Sequence, residues 1–454
     1  MNRRIDLLHS EMNLRGVLTS REMQAVIGGS AAMLSRLLAG SDARRIIRFG
    51  KARVTRYALR RDVKGMGSEW PLYRIDPDGN AVLAGHLYAL SGGRWLLQQE
   101  WPWATLRGDC FTEGLHPGLP WFLQDLRPRG FLGRLLAQRY ALELGVSPDP
   151  RDWNDDDLLM FLVVHGSDLP GAFILGRQAL AAAQSATLQV GGLVPESERT
   201  VVYPQLAAAM MAGAVPGSSA AGEQPKFTAR IRRGAGTVDS VIVKFSGAGG
   251  RPEDLRWSDL LVAEHVANAV LSGAGIPCAV TTLVHAEGRC FLESTRFDRV
   301  GQGGRRGFVS MEAFDAAYFG EVGTPWDAAA VRYRECGWIS DEDADRLALL
   351  WWFGAMIGNT DMHYGNAGLL LGDERPLSLA PVYDMVPMCY RPDIEGRLPG
   401  APVVPPLPPP ESRVVWLRAV KLARVYWQLL AQDVSISNDF KEVALQNMAS
   451  CPDT

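Results

Sequence analysis

The stretch Gly358-Asn-Thr-Asp-Met-His-Tyr-Gly-Asn-Ala-Gly-Leu-Leu-Leu decides how this chain is interpreted. Within it, Asp361 and Asn366 lie five residues apart. The apolar segment 347–357 before it predicts a helix, and residues 367–371 predict a strand. A second acid, Asp384, follows 23 residues after the first, between Tyr383 and a methionine. The sequence therefore predicts a helix, a polar loop, a strand and a second acidic position, in that order.

These polar residues are the ones that phosphoryl transfer needs. One carboxylate orients the attacking hydroxyl and accepts its proton, while a side-chain amide and a second carboxylate hold Mg²⁺ against the phosphates. Mg²⁺ prefers hard oxygen ligands and takes few of them from protein. We therefore predict Asp361 as the catalytic residue and Asn366 and Asp384 as metal ligands, in the order of a protein-kinase catalytic loop.

Lys244 and Glu264, which lie earlier in the chain, fit a site for a triphosphate. Lys244 lies in the apolar strand Val241-Ile-Val-Lys-Phe, where a lysine is costly unless it meets an anion such as a phosphate. Glu264, on the next predicted helix, is the expected ion-pair partner of Lys244. The small residues of segment 216–227 could bring backbone N–H groups close to phosphates. That segment is not a Walker A loop, because Glu223 follows Gly222 where Lys-Ser/Thr is required.

The first 62 residues predict a separate module. We expect a helix over 4–13, a second helix capped by Thr19 or Ser20, and a third over 31–38 capped by Ser30. Two strands around a Gly-Lys turn should follow in 46–59. This order is that of a winged helix-turn-helix. On DNA, helix 31–38 would lie in the major groove, and the candidate base contacts are Ser30, Ser35 and Arg36. The candidate phosphate contacts are Arg44, Arg45, Arg48, Lys51 and Arg53.

The distribution of charge supports a module that binds polyanions. The whole chain has a net charge of −3, but residues 1–65 carry 14 Lys+Arg against 5 acids, which leaves +9 there and −12 elsewhere. The six cysteines form no C-x-x-C, so neither a disulfide framework nor a zinc site is expected. The N-terminus has no apolar leader, and segment 347–357 is too short to cross a bilayer. We expect a cytoplasmic protein without a membrane partner.

The rest of the chain alternates strands and helices without a βαβ rhythm, which indicates an α+β fold. Residues 63–70 predict a linker. Hairpins at 227–245 and 279–294 flank a helix at 257–272, and a mainly helical part follows, in which Ser340 opens a capping box and a proline-rich segment, 399–410, precedes a helix at 413–431. We predict a protein-kinase-like, two-lobed fold with an N-terminal winged helix-turn-helix. The expected domains are 1–62 (DNA-binding), 72–180 (α+β), 181–300 (small lobe) and 301–454 (helical large lobe).

Over residues 72–430 the chain resembles the HipA family of serine/threonine kinases, the toxins of bacterial toxin–antitoxin modules. It resembles in particular the YjjJ-like subgroup, in which the kinase is fused to an N-terminal DNA-binding domain. The resemblance rests on five motifs in order: Ser219-Ala-Ala-Gly-Glu-Gln-Pro-Lys, Val-Lys244-Phe, Arg296-Phe-Asp-Arg, Asn359-Thr-Asp-Met-His-Tyr-Gly-Asn and Tyr383-Asp-Met. It implies the HipA fold.

The resemblance also implies roles for single residues. Asp361 is the catalytic aspartate and Asp384 the Mg²⁺ ligand, while Lys244 contacts phosphate. The remaining implied contacts to ATP and its metal are His363, Asn366 and Tyr383 in the loops, Ala221, Gly222, Glu223, Gln224 and Lys226 in a phosphate-binding loop, and Thr295, Arg296 and Phe297 in a hinge that contacts adenine. Ser219 matches the serine whose autophosphorylation inactivates the enzyme. Two positions depart from the family: Gly365 replaces the usual lysine, and Pro225 stands where an acid is common.

We therefore expect an ATP- and Mg²⁺-dependent protein serine/threonine kinase whose partners are a protein substrate, DNA and an antitoxin. Two alternatives stay open. The protein could be a DNA-binding transcriptional regulator whose kinase fold senses nucleotide, or a small-molecule phosphotransferase. Simpler roles also stay open for single residues: Asp361 and Asn366 could cap a turn, and Arg296 and Asp298 could form a local salt bridge.

Overall fold

The computed structural model describes residues 2–40, 45–50, 55–100, 103–107, 110–111, 113–188, 192–213, 224–234 and 236–452. Several predicted site residues lie outside these ranges: Arg44, Lys51, Arg53, Ser219, Ala221, Gly222 and Glu223. Within the described ranges, no helix is both long and apolar enough to cross a membrane.

The N-terminal module is a winged helix-turn-helix, as the sequence predicted. Its elements are α1 Asn2–Arg15, β1 Val17–Thr19, α2 Ser20–Ile27, α3 Ala31–Leu38, β2 Ile46–Phe49 and β3 Arg56–Leu59. The strands pair antiparallel in the order β1-β3-β2. The sequence did not predict β1, whose three residues are too few for a periodic pattern.

Local capping explains where the helices of this module begin and end. The Thr19 side chain accepts a hydrogen bond from the Glu22 N–H, and the Glu22 carboxylate accepts one from the Thr19 N–H, which completes a capping box. Gly28 ends α2 in the left-handed conformation with φ +59°, and Ser30 caps α3. The apolar faces of the three helices then pack together around Leu8, Met12 and other buried side chains.

The middle unit is built on a five-stranded sheet in the order β7-β6-β5-β4-β8. Its strands are β4 Glu69–Ile75, β5 Ala81–Ala89, β6 Trp95–Gln99, β7 Leu115–His116 and β8 Phe173–Leu175. Its helices are α4 Ala104–Arg107, α5 Trp121–Gln124, α6 Gly130–Leu144, α7 Asp155–His165 and α8 Arg177–Leu188. The linker predicted at 63–70 is wrong in part. Val63 is fully buried in the main core, and β4 already begins at Glu69.

The small lobe carries a second five-stranded sheet, in the order β12-β13-β11-β10-β9. Its strands are β9 Leu193–Pro195, β10 Lys226–Arg232, β11 Val238–Phe245, β12 Thr281–Ala286 and β13 Arg289–Thr295. Its helices are α9 Arg199–Gly213 and α10 Pro252–Gly273. Both predicted hairpins are present. The long helix α10 packs on β13 and carries Glu264 into the interior.

The large lobe is mainly helical. Its helices are α11 Met311–Tyr318, α12 Trp326–Glu335, α13 Asp341–Ile357, α14 Arg413–Gln432 and α15 Asn438–Ser450. Its short strands are β14 Arg299–Val300, β15 Gly304–Arg305, β16 Gly307–Ser310, β17 Gly368–Leu371 and β18 Ser378–Leu379. Ser340 caps α13, but the predicted capping box is incomplete, because the Asp343 carboxylate accepts from Arg346 and from the Leu379 N–H. The proline-rich residues 399–409 form neither helix nor strand.

The winged module is docked on the middle unit. The wing, formed by β2 and β3, packs on the middle sheet. Its residues Ile47, Phe49 and Ala58 contact Tyr88 and neighbouring apolar residues there. The Arg61 guanidinium makes a two-pronged ion pair with Asp156, at 2.6 and 2.7 Å, and lies over the Trp95 ring. Part of the basic N-terminal block therefore faces acids of the middle unit: Arg56 pairs with Glu113, Arg60 with Glu69, Arg61 with Asp156 and Lys64 with Asp157.

Candidate active site

The polar loop that follows α13 is fixed by its own side chains. Gly358 ends the helix in the left-handed conformation, with φ +75°, and turns the chain into the loop. The Asn359 side-chain oxygen accepts a hydrogen bond from the Asp361 N–H at 3.0 Å. The Asn366 amide then donates to the Asp361 carbonyl at 2.7 Å. Because both ends of the loop are tied to Asp361, its position is held without support from a ligand.

The side chains of Asp361 and His363 face open space. They are 48% and 58% exposed, so a substrate hydroxyl could reach them. Asp361 Oδ1 and His363 Nε2 are 3.8 Å apart. His363 Nδ1 accepts from the Gly365 N–H at 3.0 Å, which leaves Nε2 toward Asp361. The exposure suits a group that takes a proton from an incoming molecule.

Lys244 joins Glu264, its predicted ion-pair partner, to Asp384, the predicted metal ligand. Its ammonium group lies 2.6 Å from both carboxylate oxygens of Glu264 and also contacts Asp384 Oδ1. Lys244 and Glu264 are buried, whereas the Asp384 side chain is 32% exposed. The predicted Lys244–Glu264 pair is therefore present, and the lysine links the small lobe to the loop that carries Asp384.

This cluster keeps its charges. Burial alone would raise the pKa of Asp384, but Lys244 lowers that pKa to about 2. Burial opposes the charge of Lys244, yet Asp384 and Glu264 hold its pKa above the ordinary lysine value. Burial raises the pKa of Glu264, and Lys244 only partly offsets this effect. Asp384 is thus an anion at neutral pH, and it adopts φ +56°, a backbone conformation that aspartate tolerates better than most residues.

The phosphate-binding loop predicted from the resemblance is only partly described. Of its residues, Gln224 and Lys226 are described. Lys226 pairs directly with Lys244 across β10 and β11, so the two lysines lie on the same face of the sheet. The charge of Lys226 reaches both Asp384 and Glu264 and lowers their pKa values. Gln224 Nε2 is buried and has no hydrogen-bond partner in the described part of the chain.

The predicted hinge, residues 295–297, begins at the last residue of β13 in the small-lobe sheet. Phe297 packs at 5.7 Å from the Tyr383 ring, and the Tyr383 hydroxyl donates to the Gly365 carbonyl at 2.9 Å, so hinge and catalytic loop are connected. The Thr295 N–H is taken by the Val280 carbonyl. Arg296 does not point into the cleft. Its buried guanidinium binds Asp298 and, in the middle unit, Asp168. The local salt bridge considered from the sequence is therefore present. The Arg296 N–H also donates to the Ser240 carbonyl at 2.9 Å, and the Arg296 carbonyl accepts from the Arg299 N–H at 3.2 Å.

Three arginines surround the two acids of this network behind the hinge. Arg299 also binds Asp168 and Asp298, at 2.9 and 2.6 Å. Arg305 is buried beside them, and burial lowers its pKa to about 9. Asp168 of the middle unit therefore holds Arg296 and Arg299, and the Asp298 carboxylate accepts a hydrogen bond from the Gly171 N–H of the same unit at 2.9 Å. This long-range link had no signal in the sequence.

The predicted DNA contacts that are described lie at the surface of the winged module. Ser35, Arg36, Arg45 and Arg48 are exposed. Ser30 is exposed too, but its hydroxyl caps α3 by accepting from the Met33 N–H.

Two features of the catalytic loop were missed by sequence reasoning. The Asn359 side-chain oxygen accepts from the Asp361 N–H and so orients Asp361. Asparagine often makes this bond in turns, and the Asn-x-Asp spacing could have revealed it. Arg129 of the middle unit binds Glu312 at 2.6 Å. A side chain at Gly365 would begin 3.5 Å from the same Glu312 carboxylate, so Arg129 reaches the rim of the loop. Nothing local could have predicted that contact.

Two family descriptions match this sequence. Residues 66–184 match the middle domain of the YjjJ-like toxins, and residues 218–408 match the HipA-like C-terminal domain. The toxin YjjJ of Escherichia coli strain K12 is 36% identical over 442 residues, which cover 96% of this chain and 95% of that protein.

Among solved structures, HipA of Shewanella oneidensis MR-1, determined with HipB and operator DNA, aligns with a TM-score of 0.52. The alignment covers 84% of this chain and 96% of HipA at 14% sequence identity. Together these comparisons establish a kinase-like HipA fold.

Proposed function

Because this chain belongs to the YjjJ-like family of HipA-type toxins, we propose that it is an ATP- and Mg²⁺-dependent protein kinase. It transfers the γ-phosphate to a serine or threonine hydroxyl of a protein substrate and releases ADP. One observation supports this most directly: Lys244, Glu264 and Asp384 form one charged cluster, although Lys244 and Asp384 are 140 residues apart in the chain. A buried lysine between two acids is costly to the fold, so its presence supports a role in phosphoryl transfer.

The donor set fits magnesium. Asp384 contributes a carboxylate that stays ionised, since its pKa is about 2. Asn366 binds the Asp361 carbonyl through its amide nitrogen, which leaves its amide oxygen for a cation. Hard oxygen ligands of this kind are what Mg²⁺ takes from proteins. When bound, the ion neutralises charge on the phosphates.

Several groups fit a triphosphate. Lys244 and Lys226 place two positive charges on one face of the small-lobe sheet. Among the described residues, the Gln224 amide finds no acceptor, and it lies at the same end of β10. We propose that these groups hold phosphate oxygens, together with the loop residues Ala221, Gly222 and Glu223, and that the hinge at Thr295, Arg296 and Phe297 receives the adenine.

Asp361 acts as the base in this proposal. Its exposed carboxylate accepts the proton of the attacking hydroxyl, while the bond from Asn359 holds it in place. His363 borders the same opening and contributes a contact to the nucleotide. Tyr383, half-buried behind the loop, positions Gly365 through its hydroxyl.

The decisive comparison is between wild type and Asp361→Asn with radiolabelled ATP and Mg²⁺. Loss of the base should reduce transfer to protein by a factor of about 10² to 10⁴. Asp345→Asn removes an exposed acid of α13 and is the matched control, expected to behave as wild type. Equal labelling by Asp361→Asn and wild type would contradict the proposal. A labelled metabolite without labelled protein would favour a small-molecule phosphotransferase.

A second function, DNA binding by the winged module, is favoured by one observation. Helix α3 exposes Ser35 and Arg36, and the wing exposes Arg48, although neighbouring basic residues are used for docking. We propose that α3 enters the major groove and that Arg44, Arg45, Lys51 and Arg53 meet phosphates with Arg48. A protein that binds DNA and shows no transfer would be a nucleotide-sensing regulator. The HipA relative was solved with HipB and operator DNA, which supports antitoxin and DNA partners here.

We also propose that Ser219 is a site of self-phosphorylation. Its added charge of about −2 beside a site built for phosphate would disfavour ATP. Mass spectrometry of the protein after incubation with ATP would identify this phosphoserine, and Asp361→Asn should lack it.

A further inference from the structure

A cavity of about 420 Å³ opens beside the catalytic loop. One wall is the end of α13 and the start of the loop, including Ala355, Gly358 and Thr360. The rest of the lining comes from the segment that follows Asp384, including Cys389, Ala401 and Val403. The two parts of the lining adjoin each other, because the Cys389 N–H donates to the Gly358 carbonyl at 3.0 Å. The cavity thus lies between the chain leading into the proposed base and the chain leaving the proposed metal ligand.

The walls of this cavity are built rather than loose. Arg256, buried in α10, donates to the Tyr390 carbonyl at 3.0 Å and to the Pro399 carbonyl at 2.8 Å, so it holds both arms of the segment. The Tyr390 hydroxyl donates to the Ala401 carbonyl at 3.0 Å. The Val403 N–H donates to the Asn447 side chain at 2.8 Å. The segment has no regular secondary structure, but these hydrogen bonds hold it in place. The cavity therefore exists before any ligand binds.

The chemistry of the lining is apolar. Alanine, glycine, proline, valine and the Cys389 thiol supply most of it, and burial raises the pKa of that thiol to about 11, so the thiol stays uncharged. Its volume exceeds that of any single side chain, and apolar walls around a preformed cavity favour an apolar group. A charged occupant would lose its hydration without finding a partner.

The location decides which apolar group fits. Thr360 borders the cavity and precedes Asp361, and consecutive Cα atoms are about 3.8 Å apart. An extended peptide advances about 3.3–3.6 Å per residue. If the Asp361 carboxylate faces the mouth of the cavity, a peptide with one side chain in the cavity can present a hydroxyl a few residues away to it, because Thr360 of the lining is the residue before Asp361.

We propose that this cavity is a subsite for the protein substrate and receives a bulky aliphatic or aromatic side chain that flanks the phosphorylated serine or threonine. The inference rests on the proposed kinase function and adds to it the class of sequence that is selected. Other occupants, such as a small apolar regulator, would not make the choice of phosphorylation site depend on the cavity.

The experiment uses the full chain, ATP, Mg²⁺ and a dephosphorylated bacterial lysate as the probe. Phosphorylation sites that appear with wild type and not with Asp361→Asn are mapped by mass spectrometry. The site phosphorylated most strongly is then remade in its own protein, with Asp in place of each flanking apolar residue in turn. We expect one such replacement to reduce the rate of transfer at least about tenfold, as loss of one apolar contact does in other enzymes.

Two variants of the kinase provide the matched test. Ala401→Phe fills the cavity from its wall, whereas Val404→Phe adds similar bulk to a side chain that is 89% exposed. Ala401→Phe should raise the KM for the protein substrate about tenfold and abolish the sensitivity to the flanking residue. Val404→Phe should match wild type.

The outcomes separate the two proposals. If no site depends on Asp361, the kinase function fails and the subsite fails with it. If sites do depend on Asp361, but no flanking replacement matters or the two phenylalanine variants behave alike, the subsite is overturned while the kinase function stands. Affinity for ADP and Mg²⁺, measured by calorimetry, shows whether a variant has altered the nucleotide site instead.

Discussion

At the scale of single residues, Lys244 has two separable tasks. It is proposed to bind phosphate, and it also compensates the buried charge of Glu264 and that of Asp384. Removing one partner of a buried ion pair costs about 3–5 kcal/mol, because the other charge is left without compensation. Replacing both partners by apolar groups of similar size is often nearly neutral.

We therefore expect Lys244→Met to lower the free energy of unfolding by about 3–5 kcal/mol at pH 8. Without the lysine, the already raised pKa of Glu264 rises further. A carboxyl whose folded pKa lies above its unfolded value destabilises the fold as pH increases past the unfolded value near 4.5. The variant should thus lose less stability at pH 5 than at pH 8, as measured by urea unfolding.

The double variant Lys244→Met with Glu264→Leu provides the control for this prediction. It should regain much of the lost stability, because no uncompensated glutamate remains, but it should not regain phosphoryl transfer. Recovery of transfer in the double variant would show that Lys244 serves only the fold.

At the scale of elements, the basic N-terminal block divides into two groups. One group pairs with acids of the middle unit, which compensate its charges: Arg56, Arg60, Arg61 and Lys64. Arg36 on α3 and Arg48 on β2 remain exposed. Net charge alone did not distinguish these groups, because the docking residues and the predicted DNA contacts are the same residue types.

Arg36→Ala and Arg48→Ala are each expected to weaken binding to double-stranded DNA. Loss of one phosphate contact should reduce the slope of log affinity against log salt by about one. Arg151→Ala is the matched control, since it removes an exposed arginine of the middle unit that pairs with Asp149. Fluorescence anisotropy at several salt concentrations measures both quantities. An identical slope for all three variants would exclude this face from DNA binding.

At the scale of the whole molecule, long-range ion pairs connect the units. Arg61 and Asp156 hold the winged module on the middle unit, and Arg296 with Arg299 holds the hinge on Asp168 of the same unit. The middle unit therefore touches both the winged module and the edge of the proposed nucleotide site. An apolar contact around Tyr88 and Leu96 adds to the first of these joints.

Arg61→Ala should loosen the winged module without unfolding it. The charged, two-pronged hydrogen bond and the contact with Trp95 are lost, and we expect a destabilisation of about 1–3 kcal/mol. Hydrogen–deuterium exchange should increase in β2, β3 and β5, which meet at this joint. Arg15→Ala, which breaks an ion pair with Glu22 inside the module, should leave exchange in β5 unchanged. Unchanged exchange in Arg61→Ala would mean that the apolar packing and the other ion pairs hold the joint without Arg61.

The sequence by itself determined the local features of this protein. The order of Asp361, Asn366 and Asp384, the caps at Thr19, Ser30 and Ser340, both hairpins of the small lobe and the helices α13 and α14 follow from patterns that span a few residues. Such patterns are set by backbone geometry and by hydrogen bonds between near neighbours. They are therefore present in any stretch of sequence that satisfies them.

Only the tertiary structure decided which distant residues meet. Four features depend on elements that are far apart in the chain. They are the contact between Lys244 and Asp384, the burial of Val63 in the predicted linker, the ion pair of Arg296 with Asp168, and the cavity beside Thr360. An arginine or a valine has the same local pattern whether it faces water or another unit. Its partner is set by how the elements pack, because burial and charge compensation are properties of the assembled interior.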